Sequence, residues 1–357
     1  KIPLLMNNSL LTKQNVHITQ SLHEFEQFLQ ESSYSKIAVI VDENTKQHCY
    51  SLFKDLLPAE HLLIEIPSGE QHKTLETSAT IWQKMTDYAM DRKSLVINLG
   101  GGVIGDMGGF CATTYKRGMD FVQIPTTLLA QVDASVGGKL GIDFQHFKNH
   151  IGAFKIPTWV YIHPPFLYTL PTRQLLSGFA EVIKHCLIAD GEKWQFLQQQ
   201  TYPNFDWLDI IQHSVEVKAR VVTKDPEEKG LRKILNFGHT IGHAIESFYL
   251  NDPERVLLHG EAIAIGMLCE SYLSAQKEFI SSDDLAAIEQ YINQLYPTLT
   301  ILSEEISSVA QLTTQDKKNE DGKIMCTLLV QPGQAIYNQP ITIAEVEDAL
   351  KWYQGLS

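Results

Sequence analysis

With 357 residues, 44% of them hydrophobic and 20% charged, the chain has the makeup of a soluble globular protein and is too long for one ordinary core, so two domains are expected. A formal net charge of -13 and the lack of any basic run exclude a nucleic-acid surface, because neutralising phosphates needs a local excess of Lys and Arg. In so acidic a chain, a lysine or arginine inside an apolar segment is a candidate for gripping an anion. Five scattered cysteines without a Cys-x-x-Cys pair fit a reducing cytosol, and a cytoplasmic location is expected. No run of about 18 apolar residues and no charged-then-apolar start occur, so neither a membrane span nor an export signal is expected. The chain opens at Lys1 rather than Met and is read as trimmed.

Short β-branched runs come first. Strands are expected at 36–42 (KIAVIVD), 61–66 (HLLIEI), 94–100 (SLVINLG) and 121–125 (FVQIP), the last three separated by helix-length segments. That alternation predicts a parallel sheet covered by helices. Within TLETSATIWQKMTDYAM, residues Leu75, Ile81, Trp82, Met85 and Tyr88 recur at helical spacing and are read as core. From Pro164 to Pro171 onward helix follows helix until KIMCTLLV at 323–330. The expected class is α/β. A Rossmann-like parallel-sheet domain over residues 1–163 and a mainly α-helical domain over 164–357 are expected, with an active site in the cleft between them, outside the carboxyl ends of the strands.

Four stretches carry chemistry. GGGVIGD follows the 94–100 strand and opens a helix, and Gly100, Gly102 and Gly105 satisfy G-x-G-x-x-G, where glycines admit a pyrophosphate to free N–H groups at a helix start. The motif falls about 100 residues in, and the acid at a strand end, Asp42, precedes it, so a variant dinucleotide architecture is expected. SGEQHKT adds Glu70 and Lys73 at the same sheet edge, and PTTLLAQVDASVGGK adds Thr126 and Thr127, each of which alone reads as a helix cap. In GFAEVIKHCL, Glu181 and Lys184 lie three apart on an otherwise apolar helix, where ionisable groups are costly unless used or paired.

The fourth stretch, Leu231 to Glu261, holds three histidines. His239 and His243 stack on one helical face and can share one ion or divide metal binding and proton transfer between them. His259 starts the next helix. Gly238, Gly242 and Gly260 beside them suggest close backbone approach, since each costs about 0.5–1 kcal/mol relative to alanine in a helix. Glu181 with His239 and His259 makes a Glu/His/His set with an open position, suited to a catalytic zinc. The cations Arg117, Lys139, Lys148, Lys218, Arg232, Lys317 and Lys318 are candidates for gripping phosphate and carboxylate.

The motifs GGGVIGDMGGFCATTYKRG, IPTTLLAQVDASVGGKLGID, KNHIGAF, GFAEVIKH and GLRKILNFGHTIGHAIE together resemble the 3-dehydroquinate synthase family of sugar phosphate cyclases, over nearly the whole chain. The resemblance implies Zn2+ or Co2+ on Glu181, His239 and His259, with His243 left as an acid/base or phosphate-contacting group. It implies NAD+ contacts at Asp42, at Ser68, Gly69, Glu70, Gln71, His72 and Lys73, and at Gly102, Val103, Ile104, Gly105 and Asp106. Further contacts carry over to Thr126, Thr127, Lys139 and Lys148, and to Phe166, Leu167, Tyr168 and Thr169. Substrate contacts carry over to Asp133, Lys139, Asn149, Lys184, Lys218, Arg232, Asn236, His243 and the Lys317/Lys318 pair. Arg117 resembles an arginine that reaches into the neighbouring subunit of the family's homodimer.

The implied reaction turns an anionic sugar phosphate, 3-deoxy-D-arabino-heptulosonate 7-phosphate, into 3-dehydroquinate and phosphate, with NAD+ regenerated in each cycle. Alternatives of similar fold are 2-deoxy-scyllo-inosose and 2-epi-5-epi-valiolone synthases, whose substrates lack the carboxylate, and a metal-dependent polyol dehydrogenase. Arg232, Asn236 and Lys218 favour the heptulosonate. Gln174 and His163 depart from the family's usual glutamate and aspartate.

Overall fold

The apolar runs of the first half become the strands of one sheet. In the computed structural model, which describes residues 8–145, 147–315 and 323–356, these are β1 (Val16–Ile18), β2 (Ile37–Val41), β3 (Leu62–Glu65), β4 (Leu95–Gly100) and β5 (Asp120–Pro125). An antiparallel hairpin, β6 (Lys139–Phe144) and β7 (Phe147–Phe154), precedes β8 (Trp159–Ile162). The six strands outside the hairpin form one sheet in the order β1-β8-β5-β4-β2-β3, every pair parallel.

The sheet is buried on both faces, which is why its strands read as unbroken apolar runs. Ile37, Val39, Val41, Leu95, Ile97 and Leu99 pack on one side with Phe25, Phe53 and Tyr161. Ala38, Ile40 and Val96 pack on the other with Met85, Met107 and Phe110. Of the five residues read as core at 75–88, Ile81 and Met85 are fully buried and Trp82 and Tyr88 pack partly buried against that cluster. Leu75 is a correction: it begins the Leu75–Asp87 helix and is 40% exposed.

The chain divides into two compact units by more than one crossing. One comprises Lys1–Pro171 with Trp207–Thr223, the other Thr172–Asp206 with Lys224–Ser357. The second is built of helices around His259–Gln276, whose residues from Gly260 to Ser271 are all buried. Such a helix is buried around its whole circumference, and its two carboxylates in that stretch, Glu261 and Glu270, are both hydrogen-bonded. Its hairpin, β9 (Ile324–Gln331) and β10 (Gln334–Ile341), is antiparallel. Among the described residues no helix is long and apolar enough to cross a membrane.

Ile97 sits at the middle of β4 with neighbours on both sides and no exposure. Ile97→Ala removes atoms from a site that cannot collapse easily, and we expect a loss of about 2–5 kcal/mol in unfolding free energy by urea titration.

Candidate active site

The second unit presents an ionisable cluster on three helices. Glu181 and Lys184 lie on the Thr172–Ala189 helix, His239 and His243 on His239–Tyr249, and His259 at the start of His259–Gln276. Glu181 is 1% exposed, and its two carboxylate oxygens accept no hydrogen bond. It forms an ion pair with Lys184, itself 1% exposed. Its Oε1 lies 3.6 Å from His239 Nε2 and 3.9 Å from His259 Nε2. Ligand nitrogens of His239, His243 and His259 all fall within 4.8 Å of one another. An anionic oxygen beside several imidazoles, dry and without hydrogen bonds of its own, is a donor set that fits a divalent ion such as zinc.

Each imidazole is aimed by its other nitrogen. His239 Nδ1 lies 3.0 Å from the carbonyl of Phe237, which favours the tautomer protonated there and turns Nε2 toward Glu181. His259 Nδ1 lies 3.4 Å from Glu246 Oε2 and its Nε2 also faces Glu181. Arg173 grips Glu261, two residues beyond His259, with Nε and Nη2 donating at 2.7 and 2.8 Å. The Glu261 carboxylate in turn accepts the Leu258 N–H at 2.7 Å, capping the helix that carries His259.

Close approach of the helices explains the glycines. A Cβ on Gly260 would lie 1.8 Å from the Ser177 carbonyl oxygen, so the Glu181 and His259 helices meet only because none is there. Gly238 has a left-handed φ of +79°, and its N–H donates to Glu270 Oε2 at 2.6 Å, while Ile241 N–H donates to Oε1 at 3.1 Å. Glu270 is fully buried and serves as the N-terminal cap of the helix that carries His239.

The first unit holds a separate polar network at the carboxyl ends of its strands. Lys73 is 2% exposed, and its Nζ donates to Asp106 Oδ2 at 2.7 Å and Asn149 Oδ1 at 2.6 Å, with Glu70 Oε1 3.7 Å away. Burial draws the lysine pKa down, but Asp106, Glu70 and the hydrogen bond to Asp106 outweigh it and leave the pKa raised. Asp42 caps the turn after β2 by accepting Thr45 N–H at 2.7 Å, and Ser68 donates to Glu43. Gly102, Val103, Ile104, Gly105 and Asp106 form the first turns of the Gly102–Thr114 helix directly after β4. Thr126 N–H donates to the Gly100 carbonyl at 3.0 Å, and Thr127 Oγ1 accepts Ala130 N–H at 3.2 Å as a cap.

The remaining sequence candidates are distributed as follows. Asp133 lies on a π-helical turn, Ala130–Ala134, and accepts Lys218 Nζ at 2.6 Å. Lys139 is exposed at the start of β6, and Lys148 is on β7. Phe166 and Leu167 are buried in a 3₁₀ segment, Pro164–Thr169, where Tyr168 is 82% exposed. Arg232 is 2% exposed, and its Nη1 donates to the Pro226 carbonyl at 2.7 Å; Asn236 Nδ2 donates to Glu228 Oε1 at 2.8 Å. Gly69, with φ +105°, Gln71 and His72 form the turn around Glu70. Arg117 is exposed in a left-handed turn. Lys317 and Lys318 lie outside the described residues.

Sequence reasoning passed over Glu246, Glu270, Arg173 and Asp143. Only Glu246 had a local signal, three residues beyond His243 on the same helical face. His163 is 7% exposed, its Nδ1 lies 3.1 Å from the Thr19 carbonyl, and its ring meets Phe166 edge-on with centroids 5.0 Å apart. Burial pulls its pKa below the ordinary 6.5. Gln174 is exposed.

The family model described as 3-dehydroquinate synthase N-terminal matches residues 63–177, and that described as 3-dehydroquinate synthase C-terminal matches residues 178–319. A 3-dehydroquinate synthase of Parabacteroides distasonis is 40% identical over 349 residues, covering 96% of this chain and 99% of the relative. Among solved structures, ValA, a 2-epi-5-epi-valiolone synthase from Streptomyces hygroscopicus with NAD+ and Zn2+ bound, is similar with a TM-score of 0.82 and 27% identity, covering 96% of this chain and 97% of that one. A 2-deoxy-scyllo-inosose synthase complexed with carbaglucose-6-phosphate, NAD+ and Co2+ shares the fold at a TM-score of 0.81 and 22% identity, over 94% of this chain and 96% of that one.

Two outcomes follow from the packing. Gly260→Ala places a methyl against a main-chain carbonyl, so we expect a stability loss of at least about 1–3 kcal/mol by thermal melting. For His163, folded and unfolded states are both neutral above pH about 6.5. As pH falls below that value the unfolded chain takes up a proton that the folded chain resists, so stability falls until the lowered folded pKa is reached. His163→Asn should flatten that part of the stability curve measured between pH about 7 and 5.

Proposed function

The chain belongs to the 3-dehydroquinate synthase family, and from that membership we propose how its own side chains divide the work of the reaction. It converts 3-deoxy-D-arabino-heptulosonate 7-phosphate to 3-dehydroquinate and phosphate, a step of the shikimate pathway toward chorismate and the aromatic amino acids. The conversion combines transient oxidation, phosphate elimination, reduction and intramolecular aldol closure; bound NAD+ supplies a hydride acceptor regenerated in each turnover, and bound Zn2+ or Co2+ supplies a Lewis acid.

Glu181, His239 and His259 hold the metal ion. The observation that carries this assignment is the Glu181 carboxylate, buried, without hydrogen bonds and facing both Nε2 atoms. His243 is the most exposed of the three histidines and is left to move a proton at the substrate. Lys184 holds positive charge beside Glu181, and the buried cations Lys218 and Arg232 are suited to the substrate's carboxylate and phosphate, with Asp133, Asn149, Asn236 and one of Lys317 and Lys318 completing the grip. NAD is served by Asp42, the 68–73 turn, the 102–106 helix start, Thr126, Thr127, Lys139 and Lys148 within residues 1–163, and by the 166–169 segment just beyond; the metal ligands and the remaining substrate contacts lie within residues 164–357. Lys73, held charged between Asp106 and Asn149, fixes the geometry of the cofactor side.

The protein acts as a cytoplasmic homodimer in which Arg117 reaches the partner's substrate. Its exposure, in a turn where Lys116 and Arg117 both have left-handed φ values of 49° and 68°, supports an outward role. Five buried free cysteines suit a reducing compartment.

Removing a metal ligand should cost more than the roughly 10–100-fold typical of an outer-shell partner. Glu181→Gln is therefore expected to weaken Zn2+ binding by more than about 100-fold in chelator competition and to abolish phosphate release. Retention of metal and turnover would remove the proposed site. Mixing inactive Arg117→Ala and His243→Ala chains should restore up to about one quarter of normal activity, since random pairing gives half mixed dimers with one complete site each. No recovery after subunit exchange would rule out the role of Arg117 across the dimer.

A further inference from the structure

The hairpin of β6 and β7 is tied to the Lys73 turn by a closed circuit of hydrogen bonds. Asp143 N–H donates to the Lys73 carbonyl at 2.8 Å. The Asp143 carboxylate accepts the Asn149 N–H at 2.7 Å. Asn149 Oδ1 accepts Lys73 Nζ at 2.6 Å, and Lys73 Nζ also donates to Asp106 at 2.7 Å. Asn149 itself has a left-handed φ of 50°, a conformation that asparagine adopts more readily than other non-glycine residues, and here its N–H is held by Asp143.

We propose that Asp143 is a positioning residue for substrate binding: by holding the Asn149 backbone in its left-handed conformation and bolting it to the Lys73 turn, it presents the Asn149 side chain in one orientation. This rests on the assignment of Asn149 to substrate and Lys73 to cofactor. The chemistry is specific. With Oδ1 taken by Lys73, the Asn149 amide offers Nδ2, a donor suited to the hydroxyl and phosphate oxygens of a sugar phosphate. The same lysine bridges Asn149 to Asp106, so a disturbance at Asp143 reaches the cofactor side through one ammonium group.

Steady-state kinetics of the intact chain with NAD+ and Zn2+, following phosphate release from the heptulosonate phosphate, tests this. Asp143→Ala should raise KM for the sugar phosphate about tenfold, the effect of losing one charge-assisted hydrogen bond, with little change in kcat or melting temperature. Asp143→Asn keeps an oxygen that accepts the Asn149 N–H and should recover most of the loss. If the alanine variant does not fold, Asp143→Ser carries the same expectation. In a double-mutant cycle, Asp143→Ala added to Asn149→Ala should cause no further rise in KM. A raised KM for Asn149→Ala with an unchanged KM for Asp143→Ala overturns the proposal and leaves the site assignment standing. Unchanged KM in both removes the assignment and the proposal together. Additive effects in the double mutant, or an asparagine variant as impaired as alanine, overturn it as well.

Discussion

A carboxylate without hydrogen bonds in a dry interior must be met by positive charge, and much of the second unit is arranged around that requirement at Glu181. Lys184 meets it from the same helix, and the imidazoles of His239 and His259 bring polar nitrogens to the other oxygen. Bringing three helices this close leaves no room for side chains at the crossings, hence Gly260 against Ser177 and Gly238 against the central helix. The crowding also strips water from the start of the His239 helix, whose N–H groups then need an internal acceptor. Glu270 supplies it, at the cost of a second buried carboxylate that is itself satisfied by main-chain donors.

The first unit solves a different problem. A parallel sheet buried on both faces needs apolar residues throughout its strands, so polar chemistry is displaced to the turns beyond their carboxyl ends. Lys73, Glu70 and Asp106 gather there from two different strand-to-helix connections, and the β6–β7 hairpin brings Asn149 to the same place. The raised pKa of Lys73 keeps its ammonium charged, while burial pushes the Asp106 carboxyl up from its ordinary value.

The sequence made the central strands legible because two-sided burial writes itself as unbroken runs such as KIAVIVD and SLVINLG. It did not show β1, which has three residues, or β8, whose apolar core WVYI is short and flanked by prolines. The β6–β7 hairpin was hidden by Gly141, Gly152 and Asn149, residues poor in strand propensity that are present for backbone contact and a left-handed turn. Leu75 matched a helical period yet lies at the helix start, where the buried stripe has not begun. In the site, Glu181, Lys184 and the three histidines stood out because charge in an apolar helix and paired imidazoles are local signals. Asp143, Glu270 and Arg173 did not, because their partners are 6, 32 and 88 residues away and only the fold brings them together.

The grouping of residues 207–223 with the first unit bears on how the protein is made. A chain leaving the ribosome completes the sheet by Ile162, yet the helix that finishes this unit, with Lys218 on Asp133 and Thr223 beside Gln14, is not yet synthesised. At about 5–20 residues per second, translation from Pro171 to Thr223 takes roughly 3–10 s, during which the first unit lacks its last segment. The nascent first unit thus waits for its own later segment, and the stretch 172–206 must emerge before that segment can return.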